Sequence, residues 1–432
     1  MTAGAATAGI LGHRLAMVAT LSKTEQAALR RERFREYMRK LNPTAAARAA
    51  IREGLVLKDL HGSLFRTMAA RADLEPGSQQ LLVGGTGSGK TTELLLAQDW
   101  LSERGETLCL YIDISAETDL AGLNSGALLA GFGLHLGRSV TEDGSLNDNE
   151  PEFKSAKRAI SEFAYGTTKS LFVPDDEDND YSNLPEGRFA TQTIPGKLVL
   201  RFPAWLRDVQ GIYGPLEKLT TAVQKRGLDV VVIFDGLDRL ISPDKFLAVV
   251  DQDLRALRRL GVAVIAVAPQ SVLYGDGRSI SEHFERVHHM PLLNPEQGNN
   301  AKLKGVLAHR GGTADLLGPA ESDLICAASG GVLRDLIALA RDAGEAAYIA
   351  GSDNILPEHT NTAIKQLGQS YLRGLGPEQL KTLRRLHKEG SCDVASPSSF
   401  ELLATGRVLE YSPTDFKVHP ALWPLVPTSP NE

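Results

Sequence analysis

The chain has 432 residues, 42% hydrophobic and 23% charged, a balance that lets a chain bury a core and excludes a wholly disordered or fibrous one. At roughly 100–200 residues per domain it holds about two to four domains, and its longest strongly apolar runs, Val230–Phe234 and Val262–Ala268, are far short of the roughly 20 residues that cross a bilayer, so no membrane partner is expected. Cys109, Cys326 and Cys392 lie far apart without CxxC spacing, which argues against a disulfide scaffold or zinc module and points to a reducing, cytoplasmic setting.

The first sixteen residues are small and apolar but lack an early basic region. A lead-in without fold, or an early start codon with Met17 as the true start, is expected in preference to a signal peptide. The net charge is −6, unevenly spread: residues 1–71 carry 13 Lys/Arg against 5 Asp/Glu, so +8, and the remainder −14. A solvated basic helix is the plain reading of that asymmetry, and a basic arm for nucleic acid or an acidic partner the sharper one.

Thr24–Leu41 has helical spacing, with Phe34, Met38 and Leu41 on one edge, and Asn42-Pro43 stops it. A second helical stretch spans about 44–71, broken near Gly54. Gln79–Val83 is a short apolar strand running into a glycine-rich turn, and Thr92–Arg104 is a helix with Leu94, Leu95, Leu96 and Leu101 inward and Gly105 as its cap. Thr107–Ile114 has the near-continuous apolar character of a strand buried on both faces. A helix follows around Leu120–Leu136. Residues 141–200 hold 12 acidic and 6 basic side chains, including the run Pro174–Asp180, and a mobile insertion is expected over 141–195. Helical patterning returns over Ile194–Arg226, then strand Asp229–Phe234, helix Phe246–Leu260 and strand Val262–Ala268. Strands alternating with helices predict a parallel α/β sheet. From about Asn294 only helices follow, to about Leu375. The remainder reads helix, helix, strand (Arg407–Tyr411), polar turn, strand (Phe416–His419), the order of a winged helix, with Leu402, Leu403, Val408, Leu409, Val418 and Leu422 as its core. The expected domains are a basic helical segment 1–55, an α/β nucleotide domain 56–293, a helical lid 294–375 and a winged-helix-like domain 376–432.

Gly84, Gly85, Thr86, Gly87, Ser88, Gly89, Lys90 and Thr91 satisfy GxxxxGK[ST] between a strand and a helix. Glycines let successive amides turn inward around an anion, and the helix adds its positive end. Lys90 is suited to the β- and γ-phosphates, and Thr91, followed by Thr92, to Mg²⁺. The run Val230–Phe234 ends in Asp235, which the strand sets at its carboxyl end, beside the phosphates and their metal. Asp238 follows and could polarise the attacking water, or simply cap a helix or pair with Arg239. Pro269-Gln270-Ser271 closes the next strand, where Gln270 or Ser271 could touch the γ-phosphate or serve only the turn. In Ala328–Asp335 a Gly-Gly break precedes a helix whose first turn carries Arg334, placed to reach a nucleotide from a lid. Arg278 and Arg286 are candidates for a trans-acting arginine. His288-His289 is a poor metal pair, because adjacent strand residues face opposite ways.

In their order GGTGSGKTT, VVVIFDGLDR and SGGVLRDL, with Tyr111-Ile-Asp-Ile-Ser115, these segments resemble the AAA-type P-loop ATPases of the origin-recognition and STAND-like branch, over about residues 60–375. The resemblance implies a P-loop NTPase sheet with helices on both faces, a helical lid, ATP and Mg²⁺ as ligands, Lys90 and Thr91 on phosphate and metal, Asp235 as the Walker B acid, Gln270 or Ser271 as sensor 1 and Arg334 as sensor 2. Strongly hydrolysing members often carry Glu after the Walker B acid. Here that place is Gly236, which leaves Asp238 to activate water and implies slow turnover. No NKxD or TKxD motif selects guanine. The favoured function is a bacterial ATP-dependent switch in defence or regulation, with a protein partner or self-assembly. The alternatives are a DNA-handling ATPase using the terminal domain and basic arm, and a nucleotide-binding scaffold with little hydrolysis. Residues 376–432 hold 6 Lys/Arg and 7 Asp/Glu, a thin footprint for DNA.

Overall fold

The computed structural model describes residues 22–43, 46–142, 150–165, 209–240, 242–274, 283–311, 315–390 and 396–427. They fall into two compact units, one of His61–Pro291 with Cys392–Thr405, the other of Met1–Leu60, Leu292–Ser391 and Gly406–Glu432.

The first unit is built on a parallel sheet of β1 (Gln79–Gly84), β2 (Thr107–Asp113), β3 (Asp229–Asp235), β4 (Ala263–Ala268) and β5 (Arg286–Met290), in the order β2-β3-β4-β1-β5. The three inner strands explain the apolar runs: every residue of β1 and β4 is buried, as is β3 after Asp229. A parallel strand covered by helices on both faces has no solvent side to leave polar. This is the expected parallel α/β architecture, with helices on both faces. One expectation needs correction. β2 is an edge strand and alternates, with Leu108, Tyr111 and Asp113 only half-buried. Its apolar residues suit two covered faces as well as one, and the edge position is what sequence does not report.

The segment expected to be a mobile insertion also differs in part. Pro151–Tyr165 is a helix, and its Ala156, Ile160, Phe163 and Ala164 are buried in the same core as Leu136, Ile212, Leu216 and Val232. The acidic composition of the longer stretch 141–200 masked an apolar stripe at i, i+4, i+7, i+8 in this helix. The run Pro174–Asp180 and residues 166–195 lie outside the described residues. The helix Gln210–Gln224 takes up the later patterned stretch.

One buried carboxyl organises this core. Asp253, on the helix Pro243–Arg259, is fully buried and accepts from Gly126 N at 2.6 Å, Leu128 N at 2.9 Å and Leu129 N at 3.4 Å, with Ser125 Oγ at 3.1 Å. It serves as a remote cap for the helix Ala127–Glu142, whose first amides have no partners of their own. Burial pushes its carboxyl up to about 7, against the opposing pull of those donors.

In the second unit, the helix Lys23–Lys40 is not a loose arm. Phe34, Tyr37 and Leu41 are buried with Leu303, Ile325, Leu336 and Ala340, and Tyr37 Oη donates to Ala340 O at 3.1 Å. Arg30 caps the helix Leu333–Ile349, its guanidinium donating to Tyr348 O at 2.9 Å and Ser352 O at 2.8 Å. The helices Asn300–Gly311, Pro319–Ser329, Pro357–Leu372 and Pro377–Glu389 complete the helical part. The antiparallel pair β6 (Val408–Ser412) and β7 (Asp415–Val418) follows. Tyr371 Oη and His419 Nε2 both bond Asp335 Oδ2, at 2.6 and 3.1 Å. The order helix, helix, strand, strand is as the sequence suggests, and Leu402, Leu403, Val408, Leu409, Val418 and Leu422 are each buried. The second helix of that order, Pro397–Ala404, nevertheless packs within the first unit. Among the described residues, no helix is long and apolar enough to cross a membrane.

Replacing Asp253 with Ala strands several buried amides, and a loss of about 2–3 kcal/mol is expected in urea unfolding. The raised carboxyl also sets a sign. The folded form holds its proton above the unfolded range, so this group's stabilising contribution is complete below about pH 4 and is lost as pH rises through about 7. Urea unfolding across that range should show a shallower decline in Asp253→Asn than in the parent.

Candidate active site

Parallel pairing sets the carboxyl ends of all five strands on one edge. β1 connects over β4 and β3 towards β2, while β4 connects over β1 to β5, so the strand order reverses between β1 and β4. A crevice opens at such a point. It is lined by Gly84 and Thr86 after β1, Asp238 after β3, Pro269, Gln270 and Ser271 after β4, and by Phe400 and Ala404, and is open to solvent.

The loop after β1 is shaped by two glycines. Gly87 and Gly89 have φ of +78° and +104°, a region that other side chains avoid. The turn delivers the chain straight into the helix Lys90–Ser102, so its unpaired first amides and positive end face the loop. Ser88 Oγ is buried without a hydrogen-bond partner, which costs about 1–3 kcal/mol. A phosphate oxygen would satisfy it, and this is the feature of the loop that fits an absent anion. The Ser88 carbonyl lies 3.2 Å from His61 Nε2.

Lys90 is buried. Its ammonium donates to Gly84 O at 2.9 Å and Gly85 O at 3.0 Å and pairs with Asp238 Oδ2 at 2.9 Å, so each of its three protons has an acceptor. Asp238 sits in the single turn Leu237–Arg239 and reaches Lys90, not Arg239. Asp235 is buried at the end of β3. Tyr111 Oη donates to its Oδ2 at 2.7 Å and Gly236 N to its Oδ1 at 2.7 Å, and the Thr91 hydroxyl also bonds it. Burial holds its carboxyl above the ordinary range, the bonds from Tyr111, Thr91 and Gly236 oppose this, and the nearby Asp238 adds to it. A dication beside Asp235 would relieve that cost. Gln270 and Ser271 are buried in the turn after β4. Thr92 is half-buried one residue after Thr91.

Arg334 belongs to the second unit. It is exposed on the first turn of Leu333–Ile349. Arg286 is exposed at the start of β5, and Arg278 lies outside the described residues. His288 is buried against Gln80 Oε1 at 2.8 Å, and burial, then the charges of Arg286 and Arg71, lower its imidazole to about 4. Among the described residues, no cluster of three metal-ligating side chains occurs.

Several contacts escape the sequence reading. Gly236 has φ +83°, and a Cβ there would lie 2.8 Å from Asp113 Oδ1 and from Ser115 Cβ and Oγ. The position after Asp235 therefore has no room for an acid. Tyr111 and Asp113 stand in the quoted YIDIS segment, and counting both strands to their ends would have placed Asp113 opposite Asp235. Nothing local announces that Thr86 Oγ1 donates to Ala404 O at 2.8 Å, more than 300 residues on.

No protein-family model matches the sequence, and no curated protein matches it. Among solved structures the chain is similar to Drosophila ORC bound to DNA, at 15% identity over 83% of this chain and 72% of that one, with a TM-score of 0.45. It is similar to the Aeropyrum pernix Orc1 protein in complex with DNA at 18% identity, 76% and 72% coverage and a TM-score of 0.38. It is also similar to the Thermotoga maritima RuvB Holliday junction branch migration motor at 13% identity, 85% and 95% coverage and a TM-score of 0.38. No residue role is taken from these likenesses.

Gly236→Ala should cost about 1–3 kcal/mol in chemical denaturation, through the left-handed backbone and the crowding of Asp113 and Ser115.

Proposed function

We propose that the chain binds ATP with Mg²⁺ at the loop Gly84–Thr91 and hydrolyses it as a nucleotide-controlled switch. The observation that supports this most is that four groups stand at the carboxyl ends of β1 and β3: the partnerless Ser88 hydroxyl, the buried Lys90 ammonium paired with the crevice-lining Asp238, Thr91 and Asp235. Each suits one part of a metal-bound polyphosphate and none is explained by packing alone. The loop amides and the Ser88 hydroxyl donate to the phosphate oxygens, and Lys90 supplies the compensating charge. Thr91 and Asp235 are the residues that would hold the metal, which when bound neutralises charge on the phosphates. Gln270 and Ser271, after β4, are placed to read the terminal phosphate. Arg334 enters by resemblance alone.

The resting pair of Lys90 and Asp238 adds a property. A phosphate must replace a carboxylate already seated on the ammonium, so affinity is a difference between two ion pairs and not the full strength of one. This suits a switch that responds to nucleotide level. The assignment to a bacterial defence or regulatory system rests on the motif resemblance. The switch is preferred to the DNA-handling alternative because the β6–β7 turn, Ser412–Asp415, holds an acid and no base, a poor phosphate probe.

Lys90→Ala should abolish ATP binding in isothermal titration, since Lys90 is the buried ammonium seated on the Gly84 and Gly85 carbonyls; unchanged affinity would refute the site. Asp238→Asn should instead tighten ATP binding, by roughly 3–10-fold, because the competing charge on Lys90 is gone. Weaker binding in that variant would show that Asp238 preorganises Lys90.

A further inference from the structure

Hydrolysis needs a group that orients the attacking water and takes its proton, and Gly236 leaves that need unmet at the position next to Asp235. The carboxylates on this edge of the sheet are few, and most are committed. Asp235 receives Tyr111, Thr91 and the Gly236 amide. Asp238 holds Lys90. Glu93 is turned to Phe65 N at 3.1 Å, and Glu117 pairs with His135 at 2.7 Å.

Asp113 is different. It ends β2 as the register partner of Asp235 at the end of β3, so the two backbones are one strand spacing apart, about 4.8 Å. Its Oδ1 is fixed twice, by Ser115 Oγ at 2.7 Å and Ala116 N at 3.2 Å. That anchored oxygen lies 2.8 Å from where a Cβ on Gly236 would sit. The neighbouring strand therefore sends a carboxylate into the volume that a side chain after Asp235 would enter. Among the described residues no protein donor reaches Oδ2, and the side chain is half-buried, within reach of water. One oxygen anchored and the other open is the arrangement a proton acceptor requires.

We infer that Asp113 is the catalytic carboxylate that orients the attacking water, an assignment that rests on the hydrolysis reading above. The water oxygen bonds to the γ-phosphorus while the bond from that phosphorus to the β–γ bridging oxygen breaks. ADP leaves with the electron pair of that bond. The water proton passes to Asp113 Oδ2 and from there to solvent, so ATP and water give ADP, phosphate and one proton. The missing side chain at 236 is then a matched pair with Asp113: a glycine makes the room that the acid from β2 fills.

The test uses the full chain, with steady-state phosphate release and ATP titration measured on the parent, Asp113→Asn and Asp238→Asn. Asn keeps an oxygen for Ser115 and Ala116, so the turn after β2 is retained. Asp113→Asn should lose about 100-fold or more in kcat with ATP affinity held within about threefold, while Asp238→Asn keeps measurable turnover. An Asp113→Asn protein that hydrolyses at the parental rate overturns the assignment, and so does one that loses ATP binding together with turnover, which would make Asp113 a structural cap. A loss confined to Asp238→Asn gives the role to Asp238. A parent that binds ATP and never releases phosphate overturns the hydrolysis reading itself, and this assignment with it.

Discussion

A parallel strand cannot choose which end it presents. Once β1, β4 and β3 pair in one direction, the residues that follow each of them emerge on the same edge, whatever their distance in sequence. The glycine loop, Gln270 and Ser271, and Asp235 with Asp238 are separated by up to about 190 residues, yet the pairing brings them to one edge of the sheet, where Gly84, Thr86, Asp238, Gln270 and Ser271 line one crevice. The alternation of helices on the two faces follows from the same constraint, because parallel neighbours need crossovers and crossovers cover the sheet. The apolar runs are its price in composition, and they are also why the carboxylates stand out where the runs end.

That constraint divides what sequence could and could not tell. The inner strands were legible because burial on both faces leaves only apolar residues, and the loop after β1 was legible because Gly87 and Gly89 mark a backbone that other residues avoid. The edge character of β2 was not, since Leu108 and Tyr111 are apolar enough for either place. The helix Pro151–Tyr165 was hidden by its charged outer face, although its inner stripe packs on Leu216 and Ile212. Partner choice was the least legible of all. Asp238 lies beside Arg239 in sequence and joins Lys90 in space, and a helix cap such as Asp253 on Gly126–Leu129 links residues about 125 apart. Hydrogen-bond partners across the sheet depend on register, which no local pattern encodes.

The site is also electrostatically closed upon itself. Three acceptors surround the Lys90 ammonium, and three donors surround Asp235. A buried charge with no partner would cost several kcal/mol, so such a crevice must hold its own substitutes for the ligand. The Ser88 hydroxyl is the exception, a buried polar atom with no substitute. Self-satisfaction of this kind lets the fold stand on its own contacts and, on the ATP reading, sets the threshold that the nucleotide must exceed.

The chain passes between the two units four times, because residues 392–405 return to a unit whose other residues end at Pro291. This has a consequence in time. During synthesis the sheet and its glycine loop are complete about 100 residues before Phe400 and Ala404 exist, an interval on the order of 5–20 s at usual translation rates. For that interval Thr86 has no Ala404 carbonyl to bond and the crevice lacks one wall. Under the ATP reading proposed above, a newborn chain offers its loop to nucleotide before its own last helix can arrive, and the order of emergence lets that ligand compete first.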